Sequence, residues 1–377
     1  MAGPAMRPST LTLDNWQDGP SNRWSFQHVD EVVTTVELPR GDGPVLELTE
    51  GTPLSVPGLE GFLARTCTDS LLVLHGRQIV LERYLNHMTP SKRHLLQSVS
   101  KSMCGALVGR YVDSGHLAVD ATVTHYLPEL AGTGYGSATV RQLLDMTASV
   151  AYDETYENPD SEVQQHERVG GWRSRRRGDP PDTYAFLSSL RPRGRHGGSF
   201  DYCSANTEVL AWLLERVAGL GYAELLARDL WSRIGAERNG FITVDASGFP
   251  MASGGVCVTT RDLARFGRVL LDEGRGPTGE SVVPASWVAD IRAGGSRAAA
   301  ADSMGEAHPL GSYRNQFWVT GDAHGCHYGV GVYGQYLWLN PATDVVVVKT
   351  SSLPCADDTG HWIDHVRFFD VLSGGLR

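Results

Sequence analysis

The sequence predicts an α/β domain built from both ends of the chain, with an all-α domain inserted between them. Three observations favour this fold class: strand patterns at residues 70–85, helical apolar spacing through the middle, and renewed strand patterns after residue 316. Two domains assembled in this way meet at a cleft, which is the usual place for a binding site.

The domain boundaries follow the same patterns. Residues 1–60 are rich in Pro, Gly and Asp and lack periodicity, so we expect an irregular arm packed on the α/β domain. Residues 61–115 and 240–377 are assigned to the α/β domain, and residues 116–239 to a mostly α-helical domain.

The first elements are a predicted β-hairpin and a helix. Apolar runs at residues 70–76 and 79–85 flank a short turn, which is typical of a hairpin. Helical spacing of apolar residues then leads from Ser98 to Tyr111, and Gly115 ends the pattern.

The rest of the chain alternates predicted helices, one long loop and strands. Residues 151–181 read as a long polar loop, and loops of this length often line a site. Helices are expected at 140–146, 222–234, 261–271 and near 361–372. A further helix is expected around Val209–Val217, with Gly219 ending it. Strands are expected at 316–320, 329–339 and 345–350.

Composition limits the partners. The 377 residues carry a net charge of −10, which disfavours nucleic acid and anionic membranes as partners. No apolar run reaches the length of a membrane span, and the N-terminus lacks the apolar core of a signal peptide. Six scattered cysteines fit reduced thiols. We therefore expect a cytoplasmic protein, and a homodimer is compatible with these data.

The chemistry centres on Ser98 and Lys101, which stand three residues apart at the start of a predicted helix. Positions i and i+3 share a helix face, so a hydroxyl and an amine would meet there. The chain has three lysines against thirty arginines, and only lysine can lose its proton and act as a base. A helix cap followed by a solvated lysine remains the alternative interpretation of this tetrapeptide.

The sequence resembles the serine β-lactamase and penicillin-binding superfamily. Ser98-Val99-Ser100-Lys101 is followed by Tyr202-x-Ser204-x-Asn206, and the tyrosine is similar to the class C branch and its esterase relatives. Longer stretches resemble the 6-aminohexanoate-dimer hydrolase (nylon-oligomer hydrolase) group, from about residue 12 to the C-terminus. These stretches include Gly171-Trp172-Arg173, Gly178-Asp179-Pro180, Thr260-Arg261-Asp262-Leu263 and Gly334-Gln335-Tyr336-Leu337-Trp338.

The resemblance implies a β-lactamase-like fold, an antiparallel sheet flanked by helices, and acyl transfer through a serine ester. Ser98 would be the nucleophile, and Lys101 and Tyr202 would share the proton transfer. The third motif of the superfamily (the third box) is usually Lys-Thr-Gly or His-x-Gly on an edge strand beside the serine. By its position it falls at residues 329–331, although Lys349-Thr350-Ser351 matches the Lys-Thr-Gly consensus more closely. The backbone N–H groups of Ser98 and Val332 would then form the oxyanion hole.

The resemblance also implies a substrate pocket and an activity. Glu167 would hold a substrate amine, Tyr156 would bind the leaving amide nitrogen, and Ser253 and Trp318 would line the pocket. Tyr333 replaces the histidine of the hydrolase group. The expected activity is hydrolysis of short linear amides such as the 6-aminohexanoate dimer, with carboxylesterase activity alongside. A class C-like β-lactamase or D,D-peptidase is the alternative.

No cofactor and no metal are expected. His324, Cys326 and His327 cluster in the sequence, but no partner carboxylate or second cluster stands at a metal-site spacing. Glycine pairs such as Gly294-Gly295 lack the strand–turn–helix context of a nucleotide-binding loop.

Overall fold

The computed structural model describes residues 6–304, 308–356 and 359–376, so the first five residues of the predicted arm lie outside it. The strands are β1 (Thr35–Leu38), β2 (Thr49–Glu50), β3 (Thr68–His75), β4 (Gln78–Tyr84), β5 (Arg93–Leu95), β6 (Gly240–Thr243), β7 (Val256–Thr259), β8 (Ser312–Arg314), β9 (Phe317–Val319), β10 (His327–Gly331), β11 (Gln335–Asn340) and β12 (Val345–Ser351).

The α-helices are α1 (Asn22–Ser25), α2 (Leu59–Arg65), α3 (Ser100–Asp113), α4 (Val123–Tyr126), α5 (Val140–Leu144), α6 (Glu162–Val169), α7 (Thr183–Ser189), α8 (Ser204–Ala218), α9 (Tyr222–Asp229), α10 (Thr260–Leu271), α11 (Ala285–Ala293), α12 (Arg297–Met304) and α13 (Thr359–Gly374). Among the helices in the described ranges, none is long and apolar enough to span a membrane.

The larger sheet has eight strands in the order β2-β4-β3-β12-β11-β10-β9-β8. Every pairing is antiparallel except that of β2 with β4. The predicted hairpin is confirmed as β3 and β4, and the predicted strand at 329–339 divides into β10 and β11. The division falls at a turn where Tyr333 and Gly334 have positive φ angles of 63° and 89°.

Helices cover both faces of this sheet because its central strands are apolar on both sides. Leu71, Val73 and Val347 face a cluster with Phe62 of α2 and Phe369 of α13. Their neighbours alternate to the other face and join the main core around α3 and α10, and they include Leu72, Leu74, Leu337, Val346 and Val348. The β-lactamase-like expectation of an antiparallel sheet flanked by helices is confirmed.

A second sheet was not predicted. It has the order β1-β6-β7-β5, and β1 belongs to the arm that was expected to be irregular. Thr35 pairs with Thr243 and Leu38 with Gly240, across about two hundred residues of sequence. A strand of four residues is too short for its apolar and polar residues to show a recognisable alternation, so this pairing could not be predicted from the sequence. The domain boundaries themselves stay a prediction.

The predicted loop at 151–181 contains a helix, so that part of the prediction was wrong. Helix α6 starts after Ser161, whose side chain accepts a hydrogen bond from Gln164 N. Its sequence, Glu162–Val169, is mostly polar and gives little apolar periodicity. The end of α8 agrees with expectation, because Gly219 caps it with a φ of 68°.

Helix α3 is buried along most of its length because glycines let its neighbours approach closely. A Cβ atom added at Gly105 would lie 2.1 Å from Asn315 O, and one at Gly109 would lie 2.4 Å from the Trp287 ring. The Trp287 indole also donates a hydrogen bond to Gly105 O at 3.0 Å. Helix α3, which follows Ser98, therefore packs closely against the β8–β9 connection and against α11.

We expect Gly105→Ala to lower the free energy of unfolding by about 1–3 kcal/mol, because the new methyl group would collide with the Asn315 backbone. Urea unfolding followed by circular dichroism measures the change. Gly132→Ala is the matched control, because a Cβ there meets no atom within 4 Å. Equal stability of the two variants would show that α3 does not pack as closely as described.

Candidate active site

Ser98 and Lys101 meet at the start of α3. Ser98 lies in a 3₁₀ turn, Gln97–Val99, directly before the helix. Lys101 Nζ lies 2.8 Å from Ser98 Oγ, as the i, i+3 spacing predicts. The ammonium group also reaches Ser204 Oγ and the carbonyl oxygen of Ser253, both at 3.0 Å. Its three donor positions are therefore matched by three oxygens.

Burial changes the protonation of Lys101. The side chain is 1% exposed, and burial lowers its pKa to about 8, against the opposing effect of the Glu154 and Glu208 carboxylates. An amine with this pKa is partly neutral at physiological pH, so it can accept a proton from a hydroxyl group. Lys101 thus has both the distance and the acidity of a general base for Ser98.

Tyr202 lies beside the lysine. Lys101 Nζ stands 5.0 Å from the centroid of the Tyr202 ring, which also stacks on Trp318 with centroids 5.9 Å apart. Tyr202 and Ser98 line the same cavity. The structure therefore brings together all three residues that the resemblance implied for catalysis.

Glu154 is connected to Lys101 through Ser204, and the sequence reasoning missed it. Ser204 donates its hydroxyl to Glu154 Oε1 at 2.5 Å, and its backbone N–H to Glu154 Oε2 at 2.9 Å. Tyr156 donates its hydroxyl to the same carboxylate at 3.0 Å. The chain of contacts Ser98–Lys101–Ser204–Glu154–Tyr156 runs along one wall of the site. The only sequence signal for Glu154 was its place in a long loop, two residues before Tyr156.

A second carboxylate positions the carbonyl group that faces Lys101. Glu208 is fully buried in α8 and accepts the backbone N–H groups of Ala252 and Ser253, each at 2.9 Å. Burial raises the pKa of Glu208 to about 7. Because Glu208 holds the Ala252–Ser253 peptide, the Ser253 carbonyl is fixed where it meets the ammonium group.

The end of β10 packs directly against the serine turn. A Cβ atom added at Gly331 would lie 2.6 Å from Leu96 O and 2.9 Å from Ser98 N, so only glycine fits there. Val332 follows Gly331 and lines the cavity together with Ser98. The site thus has strand backbone beside the serine turn, which is where the resemblance implies an oxyanion hole.

The alternative third motif, Lys349-Thr350-Ser351, lies away from the cavity. Lys349 is fully buried on β12 and contacts the Thr66 carbonyl and the Ser351 hydroxyl. Its ammonium group lies 5.7 Å from the Phe62 ring centroid, on the face of the sheet covered by α2. Lys349 is not among the residues that line the cavity.

The cavity has a volume of about 560 Å³, enough for a molecule of several linked amide units. Aromatic rings form much of its walls, two glutamates add negative charge, and among the described residues no lysine or arginine lines it. The lining includes Glu154, Glu157, Tyr156, Tyr202, Trp318, Tyr333, Tyr336, Trp362, His361 and His365. The wall formed by α13 was not anticipated from the sequence.

The four substrate-binding residues implied by the resemblance divide into two pairs. Tyr156 and Trp318 line the cavity. Glu167 does not, because it is 5% exposed and forms an ion pair with Arg173. Ser253 also lies outside the lining and meets the site through its carbonyl group. The roles of all four stay predictions.

Comparison with known proteins agrees with this geometry. The beta-lactamase family profile matches residues 60–362. The 6-aminohexanoate-dimer hydrolase of Paenarthrobacter ureafaciens is 49% identical over 357 residues, which cover 93% of this chain and 90% of that protein.

Two solved structures extend the comparison. A Bacillus anthracis protein provisionally named 6-aminohexanoate-dimer hydrolase has a TM-score of 0.88 and 27% identity, covering 99% of each chain. EstCE1, described as a hydrolase with promiscuous acyltransferase activity, has a TM-score of 0.65 at 16% identity, covers 82% of this chain and 98% of its own, and shares the fold. The chain therefore belongs to the beta-lactamase family of serine hydrolases, as its Ser98–Lys101 pair and its flanked antiparallel sheet already indicated.

Proposed function

We propose that this protein hydrolyses short linear amides of the 6-aminohexanoate-dimer type, together with carboxyl esters, through an acyl-enzyme on Ser98. The observation that carries the proposal is the 2.8 Å contact between Ser98 Oγ and a buried Lys101 amine at the wall of a cavity. The 49% identity to a 6-aminohexanoate-dimer hydrolase supports the substrate class.

In the first step, neutral Lys101 accepts the hydroxyl proton while Ser98 Oγ attacks the carbonyl carbon. The carbonyl oxygen becomes an oxyanion, which the backbone N–H groups of Ser98 and Val332 stabilise. Tyr202 passes a proton to the leaving amine or alcohol, and the C–N or C–O bond breaks. A water molecule then attacks the ester, returns its proton through the same pair, and frees the acid and Ser98.

Substrate recognition follows from the charge of the cavity. Glu154 and Glu157 provide negative charge, and the rings of Tyr156, Tyr202 and Trp318 provide apolar walls. This combination suits a chain of methylene groups that ends in an ammonium group. It does not suit the carboxylate of a β-lactam, for which the superfamily uses a cation in the third box.

Two further proposals concern the setting of the reaction. All of the proposed catalytic groups belong to one chain, so a homodimer would carry one site in each subunit. We also propose a cytoplasmic location, which the six unpaired cysteines support.

A substrate panel tests the activity. We expect the purified protein to hydrolyse p-nitrophenyl acetate and the 6-aminohexanoate linear dimer, with nitrocefin turned over more slowly than either. Acetylating the amino end of the dimer should lower kcat/KM by at least about tenfold, because a charge-assisted hydrogen bond contributes about 1.5–3 kcal/mol. A kcat/KM for nitrocefin above that for the ester would instead establish a β-lactamase.

A further inference from the structure

A second cluster of reactive side chains lies in the loop between β9 and β10, away from the cavity. The loop is closed by Thr320, whose backbone N–H and hydroxyl both donate to Cys326 O at 3.0 Å. Within it, Asp322 Oδ1 accepts the backbone N–H groups of His324 at 2.8 Å and Gly325 at 3.0 Å. These bonds hold Asp322, His324 and Cys326 on one side of a tight loop.

Three donor atoms of different chemistry converge there. A carboxylate oxygen of Asp322, an imidazole nitrogen of His324 and the Cys326 sulfur all lie within 4.8 Å of one another. In the described part of the chain, neither the imidazole of His324 nor the thiol of Cys326 has a hydrogen-bond partner. The free carboxylate oxygen of Asp322 has none either. An unpartnered imidazole, an unpartnered thiol and a carboxylate at this separation can converge on one metal ion.

Helix α13 supplies further negative charge beside the cluster. A Cβ atom at Gly374 would lie 3.8 Å from His324 Cε1, so the end of α13 packs against the loop. Asp370 lies one turn before Gly374 on the same helix. Across the described ranges, neither Asp322 nor Asp370 forms an ion pair.

We propose that Asp322, His324 and Cys326 bind a zinc ion, with water in the fourth position and Asp370 beside it. Thiolate, imidazole and carboxylate are the ligands that Zn²⁺ selects, and small rotations of the exposed Asp322 and His324 side chains close the shell. Binding displaces the proton of the Cys326 thiol to solvent. No metal was expected from the cluster of His324, Cys326 and His327 alone, but Asp322 supplies a carboxylate two residues before His324.

The ion would be structural. None of the three ligands lines the cavity, whereas His361 and Trp362, at the other end of α13, do. Zinc at the loop would tie the C-terminal part of α13 to the β9–β10 connection. It would thereby hold the helix that forms one wall of the cavity.

Cobalt substitution tests the site in the full-length protein. After treatment with a chelator, one equivalent of Co²⁺ should produce a thiolate-to-cobalt absorption band in the near ultraviolet, and Zn²⁺ should remove it. Cys326→Ser should abolish the band. Cys355→Ser is the matched control, because that thiol is exposed and outside the cluster, and it should leave the band unchanged.

A second variant guards against misfolding of the buried cysteine mutant. His324 is exposed, so His324→Ala should fold, yet its Zn²⁺ affinity should fall by at least about tenfold in competition with a chromophoric chelator. Zn²⁺ should raise the Tm of the wild type and not of this variant. The proposal fails if folded wild type gives no cobalt band, if the band survives in Cys326→Ser, or if His324→Ala binds Zn²⁺ unchanged. None of these readouts depends on turnover, so their failure leaves the proposed hydrolase activity untouched.

Discussion

Ser98→Ala should abolish hydrolysis of both ester and amide substrates, with a loss in kcat of at least about 10⁴-fold. The hydroxyl removed is the only group that can form the acyl-enzyme in the proposed mechanism, and Lys101 at 2.8 Å would then have no proton to accept. Initial rates with p-nitrophenyl acetate and with the 6-aminohexanoate dimer measure the loss.

Ser114→Ala is the matched control for this variant. Ser114 follows the last turn of α3, is exposed, and hydrogen-bonds only to local groups, so activity should be unchanged. A fluorophosphonate probe should add its mass to the peptide that contains Ser98 in the wild type and in the control. Labelling at another serine, or turnover that persists in Ser98→Ala, would contradict the assignment of the nucleophile.

The part of the site that depends on local spacing was predictable from the sequence. Ser98 and Lys101 lie three residues apart on one helical stretch, and the helix geometry alone brings their side chains together. Tyr202 is about a hundred residues away, and only the resemblance to a known superfamily connected it with the lysine. Gly331 was likewise assigned to the site through the resemblance, from its position in the family's order of motifs and not from a match to the consensus residues.

The parts of the site that depend on distant contacts were not predictable. Glu154 reaches Lys101 only through Ser204, fifty residues further along the chain. His365 and Trp362 enter the cavity because α13 packs across the sheet, which no local pattern shows. Glu167 shows that a family motif can also predict too much. A family motif gave it a substrate role, but in this chain its charge is already paired with Arg173.

The fold shows the same division between local and distant contacts. The hairpin of β3 and β4 is formed by neighbouring residues with strong apolar runs, and it was found from the sequence. Strand β1 pairs with β6 two hundred residues later, and only one of its four residues is buried, so they carry no alternating pattern.

Replacing Lys101 with arginine should reduce kcat/KM by at least about 10³-fold, although the positive charge is retained. A guanidinium group cannot be deprotonated in a protein, so Lys101→Arg removes the base while keeping a cation beside Ser98. Lys92→Arg is the matched control, because Lys92 lies outside the cavity and bonds to Gln27. Wild-type activity in Lys101→Arg would show that the lysine acts only as a fixed charge.

The pH dependence of the wild type tests the same base without a substitution at position 101. Burial lowers the pKa of Lys101 to about 8, so kcat/KM should rise with pH through that value as the amine loses its proton. The Glu154 carboxylate opposes this effect by favouring the protonated amine. Glu154→Gln should therefore move the rising limb to lower pH, whereas Glu157→Gln, another acid of the same cavity, should move it less. A limb that stays in place in Glu154→Gln, or moves to higher pH, would mean that the titrating group is not Lys101.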